Sequence, residues 1–173
     1  CSFDLASLYP HLIMQYNISP ETFIKTYDYI NPDSIMLDLP EWQSAIEEAK
    51  TNNWTICGNG ASFSREKVGF LPELMKSYYN DRKKYKKKMI QAEKDLQKDP
   101  TNAELKGKIV QYNNIQMAKK ISLNSAYGAT SNKYFRFYSQ DMAEGITCSG
   151  QVVIRTAEVG FNSKLQGLLG DNK

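Results

Sequence analysis

A permanently charged arginine interrupts an otherwise apolar stripe in the middle of the chain. Arg82 lies among residues that recur at steps of three and four, which is the spacing of one helix face. Burying a guanidinium is costly unless an anion meets it, so we expect an acidic group or ligand beside Arg82. Lys86 follows one turn later on the same face. The pair predicts an anion site, with the alternative that Lys86 is solvated and Arg82 pairs with a neighbouring carboxylate.

A second helix carries further residues that suit an anion. Lys120, Asn124 and Tyr127 stand at positions i, i+4 and i+7, so they share one helix face. The turn sequence Asp-Pro-Thr-Asn at 99–102 separates this helix from the first, and so short a connection makes the two helices antiparallel. The basic residues of both helices could therefore converge on one anion with several charges, such as a triphosphate.

A carboxylate near the start of the chain is placed as a metal ligand would be. Asp4 ends a short apolar segment that predicts a buried strand, and a tight turn at residues 7–10 follows it. An aspartate in this position is also a common turn cap, so both interpretations stay open on the residues alone. His11 is the only histidine and has no companion for a metal site or a nucleophilic triad.

Opposite charges are segregated along the chain. Residues 1–50 contain 2 basic and 8 acidic side chains, whereas residues 76–98 contain 9 basic and 3 acidic ones. An acidic segment followed by a basic one suits a protein that holds a divalent metal in one place and a polyanion in another. The alternative is a basic helix face that is merely solvated.

Length and composition are those of a folded domain. The 173 residues, of which 41% are hydrophobic and 24% charged, suffice to bury a core. No apolar run approaches the roughly 20 residues of a membrane-spanning helix, and the first residues lack the pattern of a signal peptide, so we expect a cytosolic protein without a membrane partner. Cys1, Cys57 and Cys148 suit neither a disulfide framework nor a zinc site, which predicts reduced thiols.

Periodicity and turn residues predict an α+β fold in which a helical hairpin projects from a mixed body. The last helix should begin at a Ser139 cap. The expected elements, in chain order, are a short helix over 10–16, a surface helix over 41–48, an antiparallel meander over 54–70, long helices over 71–96 and 105–128, a strand or extended loop over 133–138, and a final helix after 139.

Two segments resemble signature motifs of one enzyme family. Residues 4–10, Asp-Leu-Ala-Ser-Leu-Tyr-Pro, are similar to motif A of the family B (polymerase-alpha-like) DNA polymerases. Residues 120–128, Lys-Ile-Ser-Leu-Asn-Ser-Ala-Tyr-Gly, are similar to motif B of the same family, and the order of the motifs agrees. Within that family, residues 15–22 and 80–86 are most similar to the replicative polymerases of T-even-type bacteriophages. The resemblance covers essentially the whole chain.

The resemblance implies catalytic and metal-binding roles. Asp4 would be a catalytic aspartate and, together with the carbonyl of Leu5, would hold Mg²⁺, of which the complete enzyme carries two ions. Lys120 would be the second catalytic residue, because it would protonate the leaving pyrophosphate. The implied reaction is two-metal phosphoryl transfer, in which deoxynucleoside monophosphates from dNTPs are added to a primer 3′-hydroxyl on a DNA template.

The resemblance also implies which residues bind the nucleotide. Tyr9 would pack under the sugar and exclude a 2′-hydroxyl, which favours DNA over RNA synthesis, while Tyr127 and Gly128 would pack against the nascent base pair. The nucleotide-binding residues would be Ser7, Leu8, Tyr9, Arg82, Lys86, Lys120 and Asn124. At two positions the chain departs from the family pattern, with His11 where serine is common and Ala126 where a larger aliphatic residue is frequent, and we expect altered packing there rather than lost activity.

Domain boundaries and partners follow from the same resemblance. Residues 1–68 and 133–173 would belong to the palm, and residues 69–132 would form the fingers, an antiparallel two-helix hairpin. The implied partners are primer–template DNA, dNTPs, the remaining polymerase domains, a sliding clamp and a single-stranded-DNA-binding protein, in the cytoplasm of an infected bacterial host. Motif C is missing and Asp171 has no partner acid at i+2, so we expect a fragment that binds nucleotide weakly and does not polymerise alone.

Two other classes of protein remain as alternatives. A non-enzymatic nucleic-acid-binding hairpin would explain the basic block and the tyrosines, but not Asp4 or the spacing in the second helix. A coiled-coil-like interaction protein would present an apolar surface along Tyr78, Tyr85 and Met89.

Overall fold

A computed structural model describes Leu5 and residues 7–170, with side chains as far as residue 167. These residues form an α+β fold, as the sequence predicts. The strand expected to end near Asp4 lies outside the described residues. The described elements are α1 (Leu8–Tyr16), a 3₁₀ turn (Pro20–Thr22), β1 (Phe23–Thr26), α2 (Pro32–Met36), α3 (Pro40–Asn52), β2 (Trp54–Ile56), β3 (Ala61–Ser64), α4 (Phe70–Lys98), α5 (Ala103–Thr130) and α6 (Gln140–Gly170).

The sheet is antiparallel with strand order β1-β3-β2. The β2–β3 hairpin occurs where the sequence predicts it, but a third strand within 54–70 is the wrong expectation, because β1 pairs with β3 instead. The backbone N–H of Gly69 donates to Asn17 Oδ1 at 2.9 Å, and that of Phe70 donates to Glu21 Oε1 at 2.6 Å. Asn17 and Glu21 thus direct the backbone at Gly69 and Phe70 into the start of α4, so this part of the chain does not form a further strand of the sheet.

The two long helices form the predicted antiparallel hairpin. Asp81 of α4 pairs with Lys119 of α5 at 2.9 Å, and the rings of Tyr85 and Tyr112 lie 6.1 Å apart. The side chain of Asn102 caps α5 by accepting from the N–H of Leu105 at 3.1 Å. An amide oxygen at this position satisfies one of the donors that a helix start leaves free.

The segment between α5 and α6 folds differently from the strand or extended loop expected over 133–138. It consists of successive turns, in which Phe135 N–H donates to Asn132 at 2.8 Å and Tyr138 N–H donates to Phe135 at 3.0 Å. The Ser139 cap is confirmed, because its hydroxyl lies 3.3 Å from the backbone nitrogen of Met142. The helix α2 was not expected, although Asn31 and Ser34 form a capping box at its start.

One hydrophobic core joins the sheet to four helices, and this junction fixes the positions of the elements that carry the site. Most of its residues come from α1, β3, α4, α5 and α6, and Ile18 and Cys57 add to it from the loops after α1 and β2. A smaller core lies between α3 and the sheet, around Tyr27, Ala45 and Ile56. The largest fully buried side chains of the main core are Ile13, Ile18, Phe63, Met75, Leu123, Met142 and Ile146.

The β2–β3 turn is packed directly against α6. A Cβ built on Gly58 would come within 2.4 Å of the Cys148 backbone, so only glycine fits this approach. Cys57 and Cys148 are free thiols, as expected, and burial raises the pKa of the Cys57 thiol to about 12, whereas Cys1 lies outside the described residues. None of the described helices is both long and apolar enough to span a membrane.

Candidate nucleotide-binding site

A cavity of about 910 Å³ lies between the start of α1, the end of α5 and the second half of α6. The two motifs singled out in the sequence meet at this cavity, although more than a hundred positions separate them along the chain. Its walls are mostly apolar. The predicted site residues that line it are Leu5, Ser7, Leu8, Tyr9, Asn124 and Tyr127.

Two tyrosines form an aromatic wall of the cavity. The ring of Tyr9 packs on that of Tyr127 with 4.8 Å between centroids, yet Tyr9 remains 37% exposed. On the other side, a Cβ on Gly150 of α6 would touch the Tyr9 ring at 3.4 Å. The Tyr9 ring is therefore held by two neighbours while its remaining surface is free to meet a ligand.

The first turn of α1 provides backbone donors beside this wall. Ser7 precedes the helix with φ 58° and ψ 42°, a left-handed conformation that serine seldom adopts, and its side chain makes no capping hydrogen bond. The first turn contains no acidic residue. Because the first N–H groups of a helix have no partner within it, this end of α1 can accept an anion such as a phosphate.

Arg82 connects the α4–α5 hairpin to this turn. Its Nη1 donates to the hydroxyl of Ser7 at 3.1 Å, and its buried Nε has no hydrogen-bond partner among the described residues. Within the same part of the chain Arg82 forms no salt bridge, since the neighbouring Asp81 pairs with Lys119. A buried donor without a partner costs free energy, which an anionic ligand would recover.

None of the three predicted basic residues, Arg82, Lys86 and Lys120, lines the cavity itself. The Asp81–Lys119 pair places Lys120 at the same level of the hairpin as Arg82. Lys86 lies four residues further along α4, about 6 Å towards the hairpin tip. Both lysines are exposed, and neither lines the cavity. The structure thus connects Arg82 to the cavity through Ser7, which lines it, whereas the two lysines have no described contact with the lining residues.

Gly128 is also exposed and does not line the cavity, and a Cβ there would meet no atom within 4 Å. The two departures from the family pattern are accommodated by packing. His11 Nδ1 lies 2.9 Å from the Ser7 carbonyl, and its ring meets Tyr79 edge-on at 4.7 Å, so it supports the α1 turn. Ala126 is half-buried against the main core.

The predicted metal ligands are only partly within the described residues. Leu5 lines the cavity, whereas Asp4 lies outside the described part. Among the described side chains no group of three or more His, Cys, Asp or Glu could enclose a metal ion. A carboxylate and a backbone carbonyl are nevertheless the oxygen donors that Mg²⁺ prefers, and Mg²⁺ is commonly held by one or two carboxylates. The donor types of Asp4 and Leu5 therefore fit this ion.

Sequence reasoning missed the wall contributed by α6. This wall includes Ile154, Ala157 and Leu165, of which Ile154 is 53% and Leu165 51% exposed. Their spacing along one helix face was visible in the sequence, but such a stripe usually marks burial in the core. Only the exposure of these apolar side chains, which needs the structure, identifies them as the wall of a cavity.

The sequence as a whole matches one known family. Residues 1–171 match the family described as DNA polymerase family B, and the chain belongs to this family. Its relatives are DNA-directed DNA polymerases, so the family is one of enzymes.

Two bacteriophage enzymes are among its relatives. The chain is 27% identical to the DNA-directed DNA polymerase of Escherichia phage RB69, over 98% of this chain and 22% of that protein. It is 28% identical to the DNA-directed DNA polymerase of Enterobacteria phage T4, over 99% of this chain and 23% of that protein. The chain thus spans less than a quarter of the length of these phage relatives.

A solved structure has the same fold. The family B DNA polymerase of the archaeon Pyrobaculum calidifontis superposes with a TM-score of 0.61 at 21% identity, over 94% of this chain and 18% of that one. Another archaeal relative is DNA polymerase 1 of Aeropyrum pernix, which is 30% identical over 97% of this chain and 14% of its own length. The fold prediction and the resemblance to family B polymerases are both confirmed.

Proposed function

We propose that these residues form the nucleotide-binding core of a DNA-directed DNA polymerase, which adds deoxynucleoside monophosphates to a primer 3′-hydroxyl on a DNA template. The observation that carries the proposal is the meeting of three separate features. The α1 turn, Arg82 of α4 and the α5 residues Asn124 and Tyr127 lie around one cavity or its edge. This arrangement suits a ligand with a planar base at one end and several negative charges at the other.

The triphosphate would lie between the two basic elements of the site. Its oxygens would accept from the N–H groups at the start of α1 and from Arg82, whose Nε has no other partner among the described residues. Lys86 and Lys120 are exposed on the same hairpin as Arg82 and would bind the outer phosphates, with Asn124, which lines the cavity, as a further polar contact. Lys120 would also hold the proton that the leaving pyrophosphate takes up.

The sugar and base would lie on the aromatic wall. Tyr9 would occupy the space that a 2′-hydroxyl needs, since Gly150 and Tyr127 limit the room into which its ring could retreat. Tyr127 and Gly128 would face the nascent base pair. Asp4 and the Leu5 carbonyl would hold Mg²⁺, together with a carboxylate from motif C of the complete enzyme. Two such ions, when bound, would activate the primer hydroxyl and neutralise charge on the phosphates.

The domain assignment and partners belong to the same proposal. Residues 1–68 and 133–173 would be palm, and residues 69–132 would be fingers. The partners would be primer–template DNA, dNTPs, the other polymerase domains, a sliding clamp and a single-stranded-DNA-binding protein, in the cytoplasm of an infected bacterial host. The 173 residues contain one of the two catalytic aspartates, so alone they should bind nucleotide weakly and not extend a primer.

A chimaera tests the proposal, in which residues 1–173 replace the matching segment of the phage T4 polymerase. We expect it to extend a DNA primer with dNTPs. Tyr9→Ala in this chimaera should raise ribonucleotide incorporation at least about tenfold, because removing the ring opens a cavity beside the sugar, and a contact of this size is worth roughly 1–3 kcal/mol in discrimination. The selectivity for the sugar is measured as the ratio of kcat/KM for dCTP to kcat/KM for CTP.

Tyr29→Ala is the matched control, since Tyr29 is an exposed tyrosine in the loop after β1 and does not line the cavity. Its sugar selectivity should equal that of the unsubstituted chimaera. Unchanged selectivity in Tyr9→Ala would contradict the assignment of Tyr9 as the sugar gate.

A further inference from the structure

From residue 76 to its end, one face of α4 is rich in lysine, and the nucleotide site does not use this face. Residues at steps of four, three and four along the helix, from 76 to 98, share the face that points away from α5. Every one of them is exposed, and none is acidic. We call this face the lysine stripe, and its members are Lys76, Asn80, Lys83, Lys87, Gln91, Lys94 and Lys98.

The orientation of the stripe follows from the contacts of the hairpin. Asp81 and Tyr85 face α5, through Lys119 and Tyr112 respectively. Lys83 and Lys87 lie two positions to either side of Tyr85, and two positions correspond to about 200° of rotation around a helix. They therefore lie on the opposite side, where α5 does not cover them.

The lysines of the stripe are almost without acidic partners. Lys98 forms a long salt bridge with Asp95, at 3.6 Å. Within the described residues none of the other four stripe lysines forms a salt bridge. Some lysines elsewhere are paired at close range, as in Lys25–Glu48 at 2.6 Å and Lys119–Asp81 at 2.9 Å. The stripe therefore presents a line of positive charge with little acidic compensation.

The stripe also works against the stability of the helix. Lys83 with Lys87, and Lys94 with Lys98, are like charges at i and i+4, an arrangement that weakens a helix where an acidic partner would strengthen it. If the face served only solubility, side chains of alternating positive and negative charge would make the helix more stable. An external polyanion, by contrast, would remove this repulsion.

We infer that the lysine stripe binds the phosphate backbone of single-stranded DNA, as a track for the template strand outside the nucleotide site. The stripe extends for about 33 Å along the convex surface of the helix. A flexible strand can follow such a line, whereas a rigid duplex would touch a convex rod at only a few phosphates. The stripe has no aromatic residue for base stacking, so it binds without sequence preference. The choice of DNA as the strand rests on the proposed function.

The test is the binding of a fluorescent dT oligonucleotide to the 173-residue chain without nucleotide or metal, as a function of salt. Replacing Lys83, Lys87 and Lys94 by glutamine should make the slope of log K against log salt shallower by about 2, since each contact with a single strand contributes about 0.7. Affinity at low salt should fall roughly tenfold or more. The matched control replaces Lys50, Lys67 and Lys133, three exposed lysines outside the stripe, and should leave the slope unchanged.

Three results would overturn the inference. The first is that the control variant loses as much affinity for the oligonucleotide as the stripe variant does. The second is that a duplex of the same length binds equally tightly and depends equally on the stripe lysines. The third is that polyglutamate displaces the oligonucleotide as effectively as unlabelled dT does. Circular dichroism of both variants checks that the helices are intact. Because no synthesis is measured, failure here is distinct from failure of the proposed polymerase function, which the chimaera reports.

Discussion

Replacing Asp4 by alanine in the T4 chimaera is expected to reduce primer extension by about a thousandfold or more. Asp4 supplies a carboxylate to the proposed Mg²⁺ site, and metal stabilisation of phosphoryl transfer is worth several kcal/mol. Each 1.36 kcal/mol corresponds to about a tenfold change in rate. The measurement is single-turnover incorporation of one dNTP at saturating Mg²⁺, which separates the chemical step from product release.

The control for this variant is Asp28→Ala, because Asp28 is an exposed aspartate in the loop after β1. Its incorporation rate should match that of the unsubstituted chimaera. Asp4→Asn keeps the size of the side chain but removes its charge, and it should be as impaired as Asp4→Ala. Extension at the normal rate by either Asp4 variant would show that Asp4 is a turn cap, as the residues alone also allow.

Replacing Arg82 by alanine is expected to raise the KM for dNTPs in the chimaera about ten- to a hundredfold. A hydrogen bond to a charged group contributes about 1.5–3 kcal/mol, and Arg82 is a half-buried cation whose buried Nε has no partner among the described residues. Loss of its contact with Ser7 also frees the α1 turn, where Ser7 has a left-handed backbone. Steady-state kinetics with a single dNTP give KM and kcat separately.

Two further variants make the Arg82 result specific. Arg82→Lys keeps the charge but lacks the planar fork of donors, so its KM should lie between those of the alanine variant and the parent. Lys84→Ala removes an exposed positive charge two residues away, and its KM should be unchanged. Equal KM values for Arg82→Ala and the parent would remove Arg82 from the nucleotide site.

The helices could be predicted well because their signals are local. The steps of three and four along α4 and α5, the Asn102 cap and the Ser139 cap are each contained within a few residues. The third strand could not be assigned correctly, because Phe23 and Phe63 pair across forty positions of sequence and no short-range pattern specifies a partner strand. In residues 133–138 the turns are closed locally, by Phe135 N–H on Asn132 and Tyr138 N–H on Phe135, whereas the return of the chain to α5 depends on the longer contact of Ser139 N–H with Thr130.

The candidate site likewise has a part that the sequence could predict and a part that it could not. The spacing of Lys120, Asn124 and Tyr127 alone predicted that they share one face of α5. The family resemblance added the α1 turn, which meets α5 at the cavity in the structure. The hydrogen bond between Arg82 and Ser7 depends on how α1 and α4 pack in the main core, so no sequence pattern could reveal it. The α6 wall was hidden because an apolar stripe has the same sequence pattern whether it is buried or open to a cavity.

The most direct test of the central claim is the affinity of the 173-residue chain for a deoxynucleoside triphosphate, measured by calorimetry together with its affinity for single-stranded DNA. We predict weak but measurable triphosphate binding that the Arg82→Ala, Lys120→Ala double variant loses at least about tenfold, since two charged contacts disappear. Binding of single-stranded DNA at the lysine stripe should persist in this variant. Unchanged triphosphate affinity with reduced DNA binding would contradict the account, because it would identify a nucleic-acid-binding hairpin and not a nucleotide-binding polymerase core.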